Sequence, residues 1–311
     1  MGLAMLAASA LALREISVLP DGLLHLYVLD VGQGSANLIV TPSGRRIVDD
    51  TGPDASVLPE LAKHLPLFSR RIDLLILSHP DLDHIGGAAE LLRRYDVGRV
   101  LLNGAVRQSP AYAEVLREIG DRSVPVMLPD PTHDIDMGDG VVLDIVWPRQ
   151  AAYREGLDGN DESVTVRVLC RGDAALLPGD IEERAERAML RSGADIRSGI
   201  LVAAHHGSKT SSSTGFLLAA DPSVVAISAG KENPFGHPHA VTLRRYDALG
   251  ITHRLTAEEG TIEFTMCGNP DYRMRPIHIG QPSVDITFIA VFAADGVMEA
   301  PTEPPLERSM S

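Results

Sequence analysis

The segment His79-Pro80-Asp81-Leu82-Asp83-His84 sets two imidazoles and two carboxylates within six positions. Both side-chain types ligate divalent cations. Crowding them out of water without a counter-charge costs several kcal/mol or shifts their pKa values. A bound cation is therefore favoured over a solvated loop with incidental charge. The preceding run, Ile72-Asp73-Leu74-Leu75-Ile76-Leu77, is short and aliphatic, as in a buried strand. After the segment, Gly86-Gly87 permits close backbone approach before the apolar spacing of Ala88-Ala89-Glu90-Leu91-Leu92 starts a helix. The ligands then occupy a strand-to-helix loop.

Three later clusters repeat this placement beside a strand. Leu177-Pro178-Gly179-Asp180 ends an apolar run with one carboxylate, aimed at a shared centre or capping a helix from Ile181. Ala203-Ala204-His205-His206-Gly207-Ser208 puts tandem imidazoles after another run, and Gly236-His237-Pro238-His239 leads into a helix at Ala240. His206, His237 and His239 are candidates to protonate a leaving oxygen or bind phosphate. Ser208 and Ser211-Ser212-Ser213 offer hydroxyls to phosphate oxygens or cap a helix near Phe216. Asp30-Val31-Gly32-Gln33-Gly34 reads as a structural turn beneath the site, with Gln33 a candidate substrate contact.

The elements that must carry these loops follow a layered α/β order. Leu24–Leu29, Ala36–Val40 and Arg46–Asp50 form a predicted antiparallel meander. Helices are predicted at 55–65, 87–95, 110–120, 181–191 and 240–249. Further strands are predicted near 72–77, 99–102, 141–146, 163–169, 174–178, 199–204, 223–228 and 261–266. The pattern suits two face-to-face sheets with helices outside and the loops at one edge. A further strand is expected at Asp285–Phe292, followed by a Pro/Glu-rich end with the composition of a disordered tail.

At 311 residues and 44% hydrophobic, the chain can bury a sizeable core. Its net charge of −14 means that the whole molecule does not attract polyanions, so a nucleic-acid substrate requires a local basic patch. Arg45-Arg46, Arg70-Arg71, Arg93-Arg94 and Arg244-Arg245 are candidates for one, against the plainer reading of a solvated face. Cys170 and Cys267 lie far apart outside any Cys-x-x-Cys pattern and read as core thiols, with one disulfide as the alternative. The apolar stretch Met1–Leu13 is shorter than the roughly 20 residues of a membrane span. An export signal, the remnant of a membrane helix and a packed N-terminal helix stay open. The first two favour an extracytoplasmic or membrane-associated location.

Together, Leu29–Gly34, Ser78–Gly87, Leu177–Asp180, Ala204–Ser208 and Gly236–His239 resemble, in order, the motifs of the metallo-β-lactamase superfamily. More narrowly they resemble the C-terminal hydrolase domain of the ComEC family of DNA-uptake competence proteins. The resemblance implies an αββα sandwich over residues 23–268, preceded by an apolar segment at 1–22 and followed by an extension at 269–311. It implies a dinuclear site in which His79 and Asp81 hold one ion, Asp83 and His84 the other, Asp180 bridges, and His205, preferred over His206, completes the second. Where the superfamily usually has a second His, Asp81 stands here, as in the competence branch. The superfamily's additional His is absent, and Asn160, Asp161 or water takes its place.

Three aspartates among about six ligands raise manganese beside zinc. Two such ions roughly 3.5–4 Å apart generate a bridging hydroxide and stabilise displacement at phosphorus, which makes Asp83 a catalytic as well as a ligand candidate. The leading expectation is a phosphodiesterase or nuclease acting on DNA. The alternatives are a small-molecule hydrolase acting on a phosphorylcholine ester, cyclic nucleotide or lactone, and a non-catalytic binding module.

Overall fold

A computed structural model describes residues 2–149, 156, 157 and 159–268. The expected strand Asp285–Phe292 and the C-terminal extension lie outside the described residues. The N-terminal half carries strands β1 (Leu24–Val28), β2 (Asn37–Val40), β3 (Arg46–Asp49), β4 (Arg71–Ile72), β5 (Leu74–Leu77), β6 (Asp96–Val97), β7 (Val100–Leu102) and β8 (Val126–Met127). The C-terminal half carries β9 (Ile135–Asp136), β10 (Val141–Trp147), β11 (Thr165–Cys170), β12 (Asp173–Leu177), β13 (Ile200–Val202), β14 (Val224–Ile227), β15 (Thr252–Leu255) and β16 (Ile262–Met266).

Two seven-stranded sheets form, in the orders β16-β1-β2-β3-β5-β7-β8 and β15-β14-β13-β12-β11-β10-β9. The meander β1-β2-β3 is antiparallel, as expected, and β5 and β7 continue it in parallel. All four residues of β5 are buried, as an internal parallel strand covered on both faces requires. Leu26, Ile39 and Ile76 from the first sheet and Ile145, Val166 and Val202 from the second belong to the apolar layer between them.

Helices α1 (Gly2–Ser17), α2 (Val57–His64), α3 (Leu82–Ile85), α4 (Ala88–Arg94) and α5 (Pro110–Asp121) precede α6 (Glu183–Arg191), α7 (Thr214–Ala220), α8 (Ala240–Ala248) and α9 (Thr256–Glu259). Leu61, Leu91 and Ile119 from α2, α4 and α5 cluster with Leu75 and Val100 of the first sheet. Ala185, Phe216 and Tyr246 from α6, α7 and α8 cluster with Leu176 and Leu201 of the second. The order of layers is thus helix, sheet, sheet, helix, the metallo-β-lactamase sandwich expected.

Cys170 and Cys267 form a disulfide, so the core-thiol reading is corrected. Cys170 ends β11 and Cys267 follows β16, so the bond joins the two sheets. At the N-terminus, Arg14 donates to the carbonyls of Ala62 and Leu65, and Glu15 accepts from the Leu67 amide. These bonds fasten the end of α1 to the last turn of α2 and the loop after it, while Met5, Leu6, Leu13 and Ile16 remain exposed. Among the described residues no helix is long and apolar enough to cross a membrane.

Candidate metal centre

The six-residue segment leaves the buried end of β5 and turns at once into α3. Asp50, at the end of β3, accepts from the Ser78 amide at 2.8 Å and from the Ser78 hydroxyl at 2.7 Å. Thr51 donates to the His84 carbonyl through its amide and its hydroxyl, at 2.7 and 2.9 Å. These bonds tie the loop to its neighbouring strand. Gly86 and Gly87 complete the fit, because a Cβ on Gly86 would lie 1.9 Å from the Pro53 carbonyl oxygen and one on Gly87 would lie 2.5 Å from that of Thr51. The turn at 30–34 lies underneath, with the Ser35 amide bonded to the Asp83 carbonyl at 3.0 Å. Gln33 accepts from the Gly230 amide at 3.2 Å, a bond that joins this turn to the loop after β14.

Buried nitrogens and carboxylates converge above this base. His79, His84 and Asp180 offer ligand atoms that all lie within 4.8 Å of one another, as do Asp83, His84 and His206. His84 Nε2 is 3.2 Å from Asp180 Oδ1, and His206 Nε2 is 3.3 Å from Asp83 Oδ2 and 3.6 Å from Asp180 Oδ2. His79 Nε2 lies 3.7 Å from Asp81 Oδ2, at the more exposed side of the cleft. Asp180 follows Gly179, whose positive φ turns the chain off β12, and its amide donates to the Ser163 hydroxyl. It does not cap the next helix, which begins at Glu183. Asp161 serves that helix end, accepting from the Glu182 amide at 2.8 Å.

The outer nitrogens fix how the rings face. His84 Nδ1 contacts Asp50 Oδ2 at 2.6 Å, His206 Nδ1 donates to the Ser228 carbonyl at 2.9 Å, and His79 Nδ1 lies 3.1 Å from the Ser78 hydroxyl. Each ring therefore presents Nε2 to the centre, and all three Nε2 atoms are buried without a hydrogen-bond partner. Such outer-nitrogen bonds orient metal-ligating histidines and raise their basicity. Three buried imidazole nitrogens that make no hydrogen bond and lie 3.2–3.7 Å from carboxylate oxygens fit a divalent cation site.

Electrostatics agree with that fit. Burial, with the neighbouring His84 charge, pushes His79 down to about 3, which keeps its ring neutral as a ligand must be. Burial also opposes charge on His84, yet Asp180 and Asp50 outweigh it and hold its pKa well above the usual imidazole value. Burial opposes ionisation of Asp180 too, but His84 and His206 keep the carboxyl well below its ordinary range. The protein thus places negative charge where protons or a cation must balance it.

Several expected site residues sit elsewhere or in other roles. The second-site histidine expected from sequence is His205; the imidazole beside Asp83 is that of His206. Both residues have positive φ, so the backbone turns sharply between them. The His205 ring lies 3.7 Å from Asp180 and 3.2 Å from Glu182 Oε1, on the exposed side. Asn160 faces His205 at 3.5 Å. Ser211, expected to meet phosphate, is fully buried and donates to the Ile181 carbonyl. Ser208 is also buried, against Thr210 at 2.9 Å, and Ser213 caps α7.

His237 and His239 line the cleft wall with ring centroids 5.0 Å apart, and His237 lies 5.9 Å from His206. Burial and the His206 and His205 charges lower His237 to about 4. The arginine pairs do not converge here. Arg71 pairs with Asp73 and Asp96, Arg93 with Glu90, Glu114 and Glu118, and Arg245 donates to the Ser211 carbonyl. Sequence reasoning missed Asp50 as the partner of His84; its only local signal was a carboxylate just past the end of a strand.

Residues 29–231 match the family model of the metallo-beta-lactamase superfamily. Competence protein ComA of Neisseria gonorrhoeae is 31% identical over 247 residues, covering 79% of this chain and 33% of that protein. ComE operon protein 3 of Bacillus subtilis (strain 168) is 28% identical over 262 residues, covering 76% of this chain and 32% of that protein. The chain therefore spans about a third of the length of these relatives. Igni18, a metallo hydrolase from the archaeon Ignicoccus hospitalis KIN4/I, shares the fold with a TM-score of 0.52 at 15% identity, covering 77% of this chain and 98% of that one.

Proposed function

The chain belongs to the metallo-beta-lactamase superfamily of metal-dependent hydrolases, and from that premise we propose that it is a two-metal phosphodiesterase acting on DNA. The observation that supports the two-metal reading is the set of buried Nε2 atoms of His79, His84 and His206, none of them hydrogen-bonded, converging with Asp83 and Asp180 in two overlapping clusters. His79 and Asp81 would hold one ion, Asp83, His84 and His206 the other, and Asp180 would be shared between them. Zinc and manganese both suit this mixture of imidazole and carboxylate. A metal pair supplies water activation near neutral pH and charge stabilisation at phosphorus.

The remaining work falls to the protein. Asp50, Ser78 and the Ser228 carbonyl hold the ligating rings in place. His237 and His239 meet the non-bridging phosphate oxygens as hydrogen-bonding groups. His205, set by Glu182 at 3.2 Å on the exposed side, reaches the leaving oxygen. Substrate choice draws on the competence proteins to which the chain is similar. Because the net charge is −14 and Arg71 and Arg93 are held by carboxylates, a second reading is a small phosphodiester.

The test is metal analysis of the purified chain, followed by hydrolysis of single-stranded DNA and of bis-p-nitrophenyl phosphate with zinc and with manganese. Loss of both activities in Asp83→Ala and Asp180→Ala is expected. Activity unaffected by either substitution would sink the two-metal mechanism, and cleavage of the small ester alone would select the second reading.

A further inference from the structure

Beside the metal cleft one aromatic ring is left open to water. Phe235 is 60% exposed, and its ring lies 5.8 Å from that of His237 with an interplanar angle of 23°. His237 in turn lies 5.4 Å from His205 and 5.9 Å from His206. Phe235 thus extends the wall of rings from the cleft out to solvent.

The loop that presents it is held in place. The Asn233 side chain accepts from the His237 amide at 2.9 Å and donates to the Gly230 and His237 carbonyls, closing the loop around Phe235. The His239 amide donates to the Gly207 carbonyl at 3.0 Å, fastening the far end beside the tandem histidines. At the near end the Gly230 amide bonds Gln33. A flat ring held outward by a bonded loop is prepared for a planar ligand, since little conformational freedom remains to be lost on contact.

Charge narrows the choice of ligand chemistry. With a net charge of −14, the molecule as a whole does not draw in a polyanion by long-range attraction. Base stacking on an aromatic face is a hold that does not depend on charge and accepts any base. We infer that Phe235 is a specificity-determining stacking platform for the nucleobase next to the scissile phosphodiester, selecting unpaired strands over other phosphodiesters. The inference deepens, and rests on, the phosphodiesterase reading.

The full chain carrying Phe235→Ala, Phe235→Leu or Phe235→Trp is compared with the unsubstituted chain on short oligothymidylate and on an abasic strand of the same length. The ratio of kcat/KM between the two strands is expected to fall about 5- to 150-fold with Ala and Leu and to be kept with Trp. Leu keeps the apolar bulk, so an unchanged ratio in Phe235→Leu overturns the platform. Fluorescence of Phe235→Trp gives a readout independent of cleavage, because the only native tryptophan, Trp147, is buried. Quenching by oligothymidylate but not by the abasic strand supports the platform even if neither strand is cleaved, a result that would overturn the phosphodiesterase reading alone. Equal quenching by both strands, or none, overturns the platform.

Discussion

His84 turns its Nδ1 to Asp50 at 2.6 Å, and both side chains are buried. Because that contact directs Nε2 towards Asp180, Asp50 acts on the metal centre without entering it. Asp50→Asn keeps the shape but removes the charge, and Asp50→Ala also releases the Ser78 amide and hydroxyl. Metal affinity, read by competition with a chelator, is expected to drop about 10- to 100-fold in Asp50→Asn and further in Asp50→Ala. Unchanged affinity in both would show that the His84 ring is set by packing alone.

The tandem histidines are expected to divide into a metal ligand and a non-ligating residue of the cleft. His206 Nε2 is buried beside Asp83, whereas His205 is partly exposed beside Glu182. His206→Ala is expected to lower the metal content of the purified chain and cut hydrolysis at least about 100-fold, beyond what outer-sphere changes produce. His205→Ala is expected to keep its metal and lose activity chiefly in kcat. Elemental analysis of the two variants decides the assignment, and the reverse pattern would return His205 to the second site.

What the sequence revealed and what it concealed differ in range. An all-aliphatic run such as Leu74–Leu77 announces a doubly covered strand locally, and five ordered motifs were enough for the sandwich. The gaps are contacts across long separations. Asp50 meets His84 only because β3 and β5 pair in parallel, and Asp161 caps α6 from 21 residues upstream. Whether His205 or His206 faces inward depends on two left-handed backbone angles, which residue type does not encode. Short or polar strands such as β8, β9 and Thr252–Leu255 gave too little periodicity to detect.

Glu186 supplies a pH dependence outside the candidate metal centre. This fully buried carboxylate accepts from the Ser212 and Ser213 amides at 2.5 and 3.0 Å. Burial raises its pKa above the ordinary 4.5 despite those bonds. The folded chain therefore holds this proton more tightly than the unfolded one. Its contribution to stability is fully present below about pH 4.5 and declines as pH rises through the folded-state value. Glu186→Gln removes this titration but leaves only one carbonyl acceptor for two amides, a loss of about 1 kcal/mol. Urea unfolding between pH 4 and 7 is expected to show a smaller decline for the variant. Parallel curves would mean that Glu186 does not titrate differently on folding.

The Cys170–Cys267 bond closes a separation of 97 residues and joins the sheets. It also sits at the opposite end from the candidate metal centre: Cys170 pairs with Asp173 at the start of β12, whereas Asp180 follows the end of that strand. Met266, just before Cys267, likewise pairs with Leu24 at the start of β1. Asp173 adds bonds to the Cys267 and Gly268 amides at 2.7 and 3.2 Å, so this edge stays tied through polar contacts when the sulfurs part. A loop of that length predicts stabilisation of about 4–5 kcal/mol, mostly through the unfolded chain. Cys170→Ala combined with Cys267→Ala is expected to lower the urea midpoint accordingly while metal content and hydrolysis at 25 °C stay within twofold. A loss of metal in that variant would mean that the sheets must be clamped at the far end for the centre to assemble.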